Sequence, residues 1–311
     1  MENRETIYAN NIFEQPWWLD IVAKDSWSEV VVKEKEQIVG RFPFCINKGN
    51  IEMPTLTQTC GVWLNEGEVR VGNENLSQRK KIIDGLLEQL PRYKNMKVAL
   101  DVSMDYILPF LWKGYTVLPR VSYRISDLDN IDAVYNNFSK TVKKNIKSAQ
   151  KKVKITTESN VEVLLDIMDK TFAAQGRKYP ISKDIVRNIV TECDKRGNGI
   201  MYTAKDDEGN VHACSYFVFD EKVFYYLIAG SDSAFRTSGA QTLILWEAIQ
   251  YASKVSQIFD FEGSMVEGIE TFFRRFGGVP VTYYEIAKEG FVHQILGILK
   301  PRIKRILGYK V

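Results

Sequence analysis

Two halves of this chain pass through the same succession of elements, and few folds accommodate such a repeat. In the first half, VVVKEKEQIVGRFPFCINKGNIEMPTL (residues 30–56) reads as strand, charged turn, strand, Lys-Gly-Asn turn and strand. A helix follows from Ser77 to Leu90, with Ile82, Ile83, Leu86, Leu87 and Leu90 on one stripe. Next come the strand MKVALDVS, a short helix in DYILPFLWKG and a closing strand in YTVLPRVSYRIS. The second half opens with GIMYTAKDDEGNVHACSYFVFDEKVFYYLIAG, three strands with turns at Asp207-Glu208-Gly209 and Asp220-Glu221-Lys222. It continues with a helix from Gly239 to Ser253, the strand QIFDFEG, the short helix GIETFFRRFGG and a last strand, VTYYEIAK. Gly114 and Gly277-Gly278 supply the stop after each short helix. Solenoid repeats are shorter, so duplication of one mixed α/β domain accounts for the pattern.

The chain is long enough for two such domains: 311 residues, 45% of them hydrophobic, provide material for two cores. No apolar run approaches the roughly 20 residues of a spanning helix, and the start MENRETIYANN lacks the basic and apolar regions of a signal peptide. Cys45, Cys60, Cys193 and Cys214 show no CxxC spacing and read as reduced, buried thiols, which points to the cytoplasm. The two histidines, His212 and His293, lie far apart and outside any HExxH setting, and no GxSxG elbow occurs. Metal-dependent and serine-hydrolase chemistries are therefore disfavoured, and no metal is expected.

Charge is small in sum and uneven in place. The net charge is +3, yet Ala133–Thr157 holds seven lysines and no acid, and Gly290–Val311 holds five Lys/Arg and no acid. Over residues 136–153, Phe138, Val142, Ile146, Ala149 and Val153 form an apolar stripe. Lysines 140, 143, 144, 147, 151 and 152 fill the opposite face, available to nucleic acid, anionic lipid or solvent. In the tail, Phe291, Ile295, Leu296, Ile298, Leu299, Ile303, Ile306 and Leu307 alternate with cations around Pro301. Such a basic amphipathic segment fits peripheral contact with an anionic membrane, or packing against the body of the protein.

Three places carry candidate chemistry. Ser238-x-x-Gln241 has the form of a capping box opening the second-half helix, where free N–H groups beside Gly239 and Arg236 would suit an anion or simply begin a capped helix. In QIFDFEG, strand alternation places Asp260 and Glu262 on one face at the strand's C-terminal end, where either would serve as the base for an attacking amine. Arg274 and Arg275, near the end of the next helix, are placed to hold a phosphate, stabilise an oxyanion or solvate the helix terminus.

The element order resembles the GNAT acyltransferase fold, and the whole chain resembles the Fem-type peptidyltransferases, which carry two such domains in tandem. The residues behind this are FEQPWWLDIVAKDSW, SYRISDL, SKTVKKNIKSAQKK, TFAAQGRKYPIS, SGAQTLILWEAI and, above all, FDFEGSMVEGIETFFRRFGG. The resemblance implies an α/β fold of two tandem GNAT-like domains, at residues 1–128 and 129–290, with 291–311 as a basic tail. It implies donor binding at Arg236, Ser238, Gly239 and Ala240, although the glycine signature reads RxxGxQ rather than RxxGxG/A. It places Arg177, Tyr179, Arg275 and Lys24 on an acceptor's phosphates, and Asp260, Glu262 and Arg274 at the chemistry. Arg274 stands where the family has lysine, and the helical hairpin with which some members contact tRNA has no counterpart. The implied activity is transfer of an acyl or aminoacyl group, from acyl-CoA or aminoacyl-tRNA, to an amine on a small-molecule, nucleotide-linked or lipid-linked cell-envelope precursor. No bound cofactor is implied, and the inner face of the membrane is the implied place of work. The alternatives are a non-catalytic scaffold for envelope intermediates and a strictly tRNA-dependent aminoacyltransferase.

Overall fold

A computed structural model describes residues 5–65, 73–263 and 265–290. The basic tail expected to touch membrane lies outside the described residues. The chain divides into two units, one built from residues up to Arg120 together with those from Thr282 onward, the other Val121–Val281. The sequence-based boundary after residue 128 thus falls earlier, and the last strand returns to the first unit.

The first half contributes α1 (Pro16–Val22), β1 (Trp27–Glu34), β2 (Gln37–Asn47), β3 (Asn50–Glu52), β4 (Trp63–Leu64), α2 (Asn73–Gln89), β5 (Asn95–Ala99), α3 (Leu108–Trp112) and β6 (Thr116–Ile125). After it come α4 (Ile131–Asn137), α5 (Lys140–Ala149), β7 (Lys154–Thr156), α6 (Val161–Ala173) and α7 (Lys183–Arg196). The second half contributes β8 (Gly199–Lys205), β9 (Val211–Phe219), β10 (Val223–Ser231), α8 (Ala240–Val255), β11 (Ile258–Asp260), α9 (Glu267–Arg274) and β12 (Val279–Glu289). The repeated order of three antiparallel strands, helix, parallel strand, short helix and final strand is present in both halves.

In the first unit β1, β2 and β3 pair antiparallel, and β3 pairs parallel with β5. The unit is closed by β12, whose Glu285–Glu289 run antiparallel to Asn95–Ala99 of β5. In the second unit β7, β8, β9 and β10 pair antiparallel, β10 pairs parallel with β11, and β11 pairs with the end of β6 through Phe259↔Ile125 and Asp260↔Arg124. Each half therefore lends its closing strand to the unit built by the other. Sequence patterning names the strands but not this exchange, because alternation records burial and not the identity of a partner.

The crossover helix α8 explains the parallel pairing of β10 and β11, since parallel neighbours need a long connection. It covers the sheet with Leu243, Ile244, Leu245, Ala248 and Ile249, all buried. Beneath it Phe217, Phe224 and Phe259 pack ring against ring, with centroids 5.4 and 5.6 Å apart along the series. Such aromatic pairs add about 0.5–1.5 kcal/mol each beyond area burial.

The helix expected across 136–153 is two helices. Phe138 is extended (ψ 142°) and turns into the core against Trp246 and Phe276. Ser139 then caps α5, its Oγ accepting the Val142 N–H at 3.3 Å. A serine cap is a stronger local instruction than continuation of the stripe through Phe138. Val142, Ile146, Ala149 and Val153 are buried as the stripe implies, and Lys140, Lys144, Lys147 and Lys151 are exposed. No helix among the described residues is long and apolar enough to cross a membrane.

Candidate functional site

The second unit opens where β10 and β11 part. They pair only through Val223↔Ile258, Phe224↔Phe259 and Tyr225↔Asp260; β10 then continues to Ser231 while β11 stops at Asp260. A register shift between Tyr226 and Ile228 bends β10 at the same level. The result is a splay at the C-terminal end of parallel strands, a usual place for sites in open sheets.

The two carboxylates expected to share a strand face have different environments. Asp260 is fully buried, accepting from Ser122 Oγ at 2.5 Å, Arg124 Nε at 2.7 Å and the Glu262 N–H at 2.7 Å. Its acceptor positions are taken by structure. Glu262 lies beyond the strand end in a left-handed conformation (φ 59°), so alternation no longer governs where it points. Its Oε1 is buried with no hydrogen-bond partner. Desolvation first, and then the neighbouring Asp260 charge, push the Glu262 carboxyl well above the ordinary carboxylate range. A half-buried carboxyl so tuned holds a proton more readily than an exposed one and is suited to proton exchange with a bound amine. Next to it, Gly263 (φ 58°) passes so close to β6 that an added Cβ would lie 2.3 Å from the Val121 carbonyl oxygen.

The four residues expected to hold the donor are brought together. Arg236, Ser238, Gly239 and Ala240 line a cavity of about 460 Å³ at the start of α8, with Asn145, His212 and Gln241. The capping box between Ser238 and Gln241 does not form. Gly239 is the N-cap, left-handed at φ 78° and without a side-chain cap; Ser238 Oγ accepts only the Ala240 N–H, at 3.2 Å. Gln241 turns inward, its Nε2 donating to Ser215 Oγ (2.8 Å) and Tyr226 Oη (2.6 Å). That leaves the first turn of a 16-residue helix facing the cavity, where N–H groups and the helix dipole favour an anion. His212 of β9 also lines the cavity. It stacks on Phe235 (3.9 Å, 8°) and bonds Asp206 through Nε2 at 3.1 Å.

The remaining candidates lie on separate elements. Arg274 is exposed at the end of α9 and pairs with Glu270 at 2.9 Å, which also accepts the Tyr123 hydroxyl at 2.7 Å. Arg275 is the C-cap residue of the same helix. Arg177 lies over the Phe172 ring at 5.5 Å, and Tyr179 meets that ring edge-on at 5.3 Å with its hydroxyl buried and unpartnered. Lys24 is exposed in the first unit. Sequence reasoning holds Tyr226 as a fallback base but does not single out Arg124 as a partner of the site. Arg124 and Ser122, an i, i+2 polar pair in SYRIS, were the available signal. No group of three or more metal-ligating residues occurs among the described residues.

Residues 136–267 match the model of the acetyltransferase (GNAT) domain, so the second unit carries an acyltransferase domain. No curated protein matches the chain by sequence. Among solved structures, FemX aligns over 93% of this chain and 95% of its own with a TM-score of 0.67 at 12% identity. A tandem GNAT protein from the clavulanic acid biosynthesis pathway aligns over 88% and 94% (TM-score 0.52, 11% identity). L-PGS from Bacillus licheniformis aligns over 85% of each chain (TM-score 0.52, 11% identity). At such identities these likenesses establish the fold: a tandem GNAT-like architecture with mixed sheets.

Proposed function

We propose that the protein is an N-acyltransferase that moves an acyl or aminoacyl group onto an amine of a cell-envelope precursor, using the splay of the second unit. The observation that carries this reading is the pairing of two features on one domain: an anion-suited cavity at the start of α8 and the poised Glu262 carboxyl beside β11. The donor's phosphate would rest against the first turn of α8 and Arg236, directing its acyl carbon toward the splay. The attacking amine forms the new N–C bond while Glu262 takes its proton. Collapse of the tetrahedral intermediate breaks the C–S bond of a thioester, or the C–O bond of an aminoacyl ester, and the leaving sulfur or oxygen receives a proton. Positioning and charge stabilisation suffice for this reaction.

Acyl-CoA and aminoacyl-tRNA remain the two donor classes. Of the acceptor-side candidates, Arg177 and Tyr179 are the ones held against a common ring, which favours them as a binding surface for a phosphorylated acceptor. The Fem-type resemblance of the sequence motifs is the support for an envelope-linked or lipid-linked acceptor, and the basic, acid-free residues 290–311 for work at the inner face of the membrane. The test is mass-spectrometric detection of acyl transfer from each donor to a panel of nucleotide-linked and lipid-linked amines. Arg236→Ala is expected to weaken binding of the phosphate-bearing donor by roughly 10–100-fold, the loss of one charge-assisted bond. Transfer with neither donor, together with donor affinity unchanged in Arg236→Ala, would remove the reading.

A further inference from the structure

We propose that the first unit holds a second copy of the strand-splay slot, which the chain shuts with its own N-terminal segment, Asn10–Trp18, and that the Glu14 carboxyl is the latch. The duplicated topology locates the slot. Ile51↔Met96 and Glu52↔Lys97 are the parallel pairs of β3 and β5, the counterparts of the β10–β11 pairs. There too the strands part: β3 stops at Glu52, β5 stops at Ala99, and the chain returns through Thr59–Val62. The Cys60 N–H bonds the Ala99 carbonyl at 2.9 Å, and a Cβ on Gly61 would lie 2.7 Å from a Leu100 methyl carbon. Two residues past β11 stands Glu262 with its unpartnered oxygen; two residues past β5 stands Asp101, which accepts from Asn11.

What fills the first unit's slot is the chain itself. Ile12, Phe13, Trp17, Trp18 and Leu19 are all buried. Polar bonds then fasten the segment to both walls. Trp18 Nε1 donates to Thr57 Oγ1 at 3.0 Å, and Asn10 Nδ2 to the Val62 carbonyl at 3.2 Å. Asn11 Nδ2 donates to Thr59 Oγ1 at 2.9 Å and to Asp101 Oδ2 at 2.8 Å. The Glu14 carboxyl, fully buried, accepts the Gly61 N–H at 3.2 Å and the Asn10 N–H at 2.8 Å, with Asn10 Nδ2 3.0 Å from both oxygens. These bonds cross from residues 10–18 to residues 57–62 and 101, so the segment cannot leave without breaking them together.

The latch sits among charged groups that set when it holds. Arg41 of β2 grips the Glu14 and Tyr8 carbonyls at 2.9 and 3.1 Å, while its Nε is taken by Glu29 of β1 at 2.7 Å. Its Nη2 is buried without a partner. Asp101, after β5, faces Glu14 with like charge, and the buried Cys60 thiol lies on the 59–62 return. Burial first, then Asp101, push the Glu14 carboxyl up to about 7, against the Asn10 bonds and Arg41 that hold it down. In an opened slot the carboxyl would return to its ordinary range. The closed form therefore binds the proton more tightly, and opening becomes easier as pH rises toward 7, then levels off.

Cys60 reports the state of the slot because the closed segment buries it, and all four cysteines are free thiols. The experiment is alkylation of the full chain with iodoacetamide from pH 5 to 8.5, mapped by mass spectrometry, in wild type and Glu14→Gln. Taking the ratio of the two cancels the ordinary rise of thiolate with pH. The wild-type to Glu14→Gln ratio of Cys60 labelling is expected to rise about 40-fold between pH 5 and 7 and to flatten above about pH 8. Cys193 and Cys214, in the second unit, should not follow it. A flat ratio, or Cys60 rising in step with Cys193, would overturn the latch. If Glu14→Gln fails to fold, hydrogen exchange of residues 57–63 in wild type decides. Corrected protection should fall by a similar factor over the same range, and constant protection overturns the proposal. None of these outcomes depends on which donor the second unit takes.

Discussion

Glu262→Gln is expected to lower turnover by about 10²–10⁴-fold, the usual consequence of removing a general base, while the protein remains folded. The expectation rests on the contrast at the end of β11. Asp260 has its oxygens committed to Ser122, Arg124 and the Glu262 amide, whereas Glu262 keeps a buried oxygen without a partner. Because burial and the Asp260 charge raise its pKa, a base at this position stays protonated and inactive to higher pH than an ordinary carboxylate. Wild-type kcat/KM should therefore fall on the acid side of that raised pKa, and the residual activity of Glu262→Gln should lack this limb. The same shift has a stability consequence of definite sign. The folded state binds the proton more tightly than the unfolded chain, so this group's contribution is fully present at low pH. It is lost as pH rises through the folded pKa. Single-turnover rates and equilibrium unfolding across pH separate the two effects. Full activity in a folded Glu262→Gln protein would place the base elsewhere.

The succession of strands and helices was legible because periodicity and turn residues are local signals. Asp207-Glu208-Gly209 and Gly277 mark their turns without reference to anything distant. What escaped depends on partners remote in sequence or on one backbone angle. The closing strands are exchanged between units because Glu285 pairs with Ala99, and alternation is blind to that choice. Asp260 and Glu262 looked equivalent on a strand, yet a single left-handed residue after Asp260 separates their roles. Ser238 and Gln241 have capping-box spacing, but Ser215 and Tyr226, brought up from β9 and β10, offer Gln241 two buried hydroxyls instead. Glu14 read as part of an aromatic opening block, and its meaning rests on Gly61, Arg41 and Asp101, up to 87 positions away. Arg236, Ser238, Gly239 and Ala240 line one cavity because they are contiguous in the chain, whereas Arg177 and Arg274 lie in separate segments, whose spacing carries no such information.

Asp260→Ala is expected to act on stability where Glu262→Gln acts on rate. Removing the carboxylate takes an ion-pair partner from Arg124, whose side chain is mostly buried and whose Nε is 2.7 Å from Asp260 Oδ2. It also frees the Ser122 hydroxyl and the Glu262 N–H, both in the wall of the splay. Losing this buried ion pair together with the Ser122 and Glu262 N–H bonds costs about 3–5 kcal/mol. A domain of this size holds about 5–15 kcal/mol in all, so the loss is a large fraction of the total. At roughly 2–4 °C per kcal/mol the melting transition should drop by a margin that differential scanning calorimetry resolves easily. The double variant Arg124→Met, Asp260→Leu removes both charges and should recover much of the stability, since a buried pair replaced by apolar groups is often tolerated. It should not recover activity, because the amide contact that orients Glu262 is gone. If Asp260→Ala instead melts like wild type and is inactive, Asp260 belongs to the chemistry, and its engagement with Arg124 and Ser122 is a resting arrangement that substrate displaces.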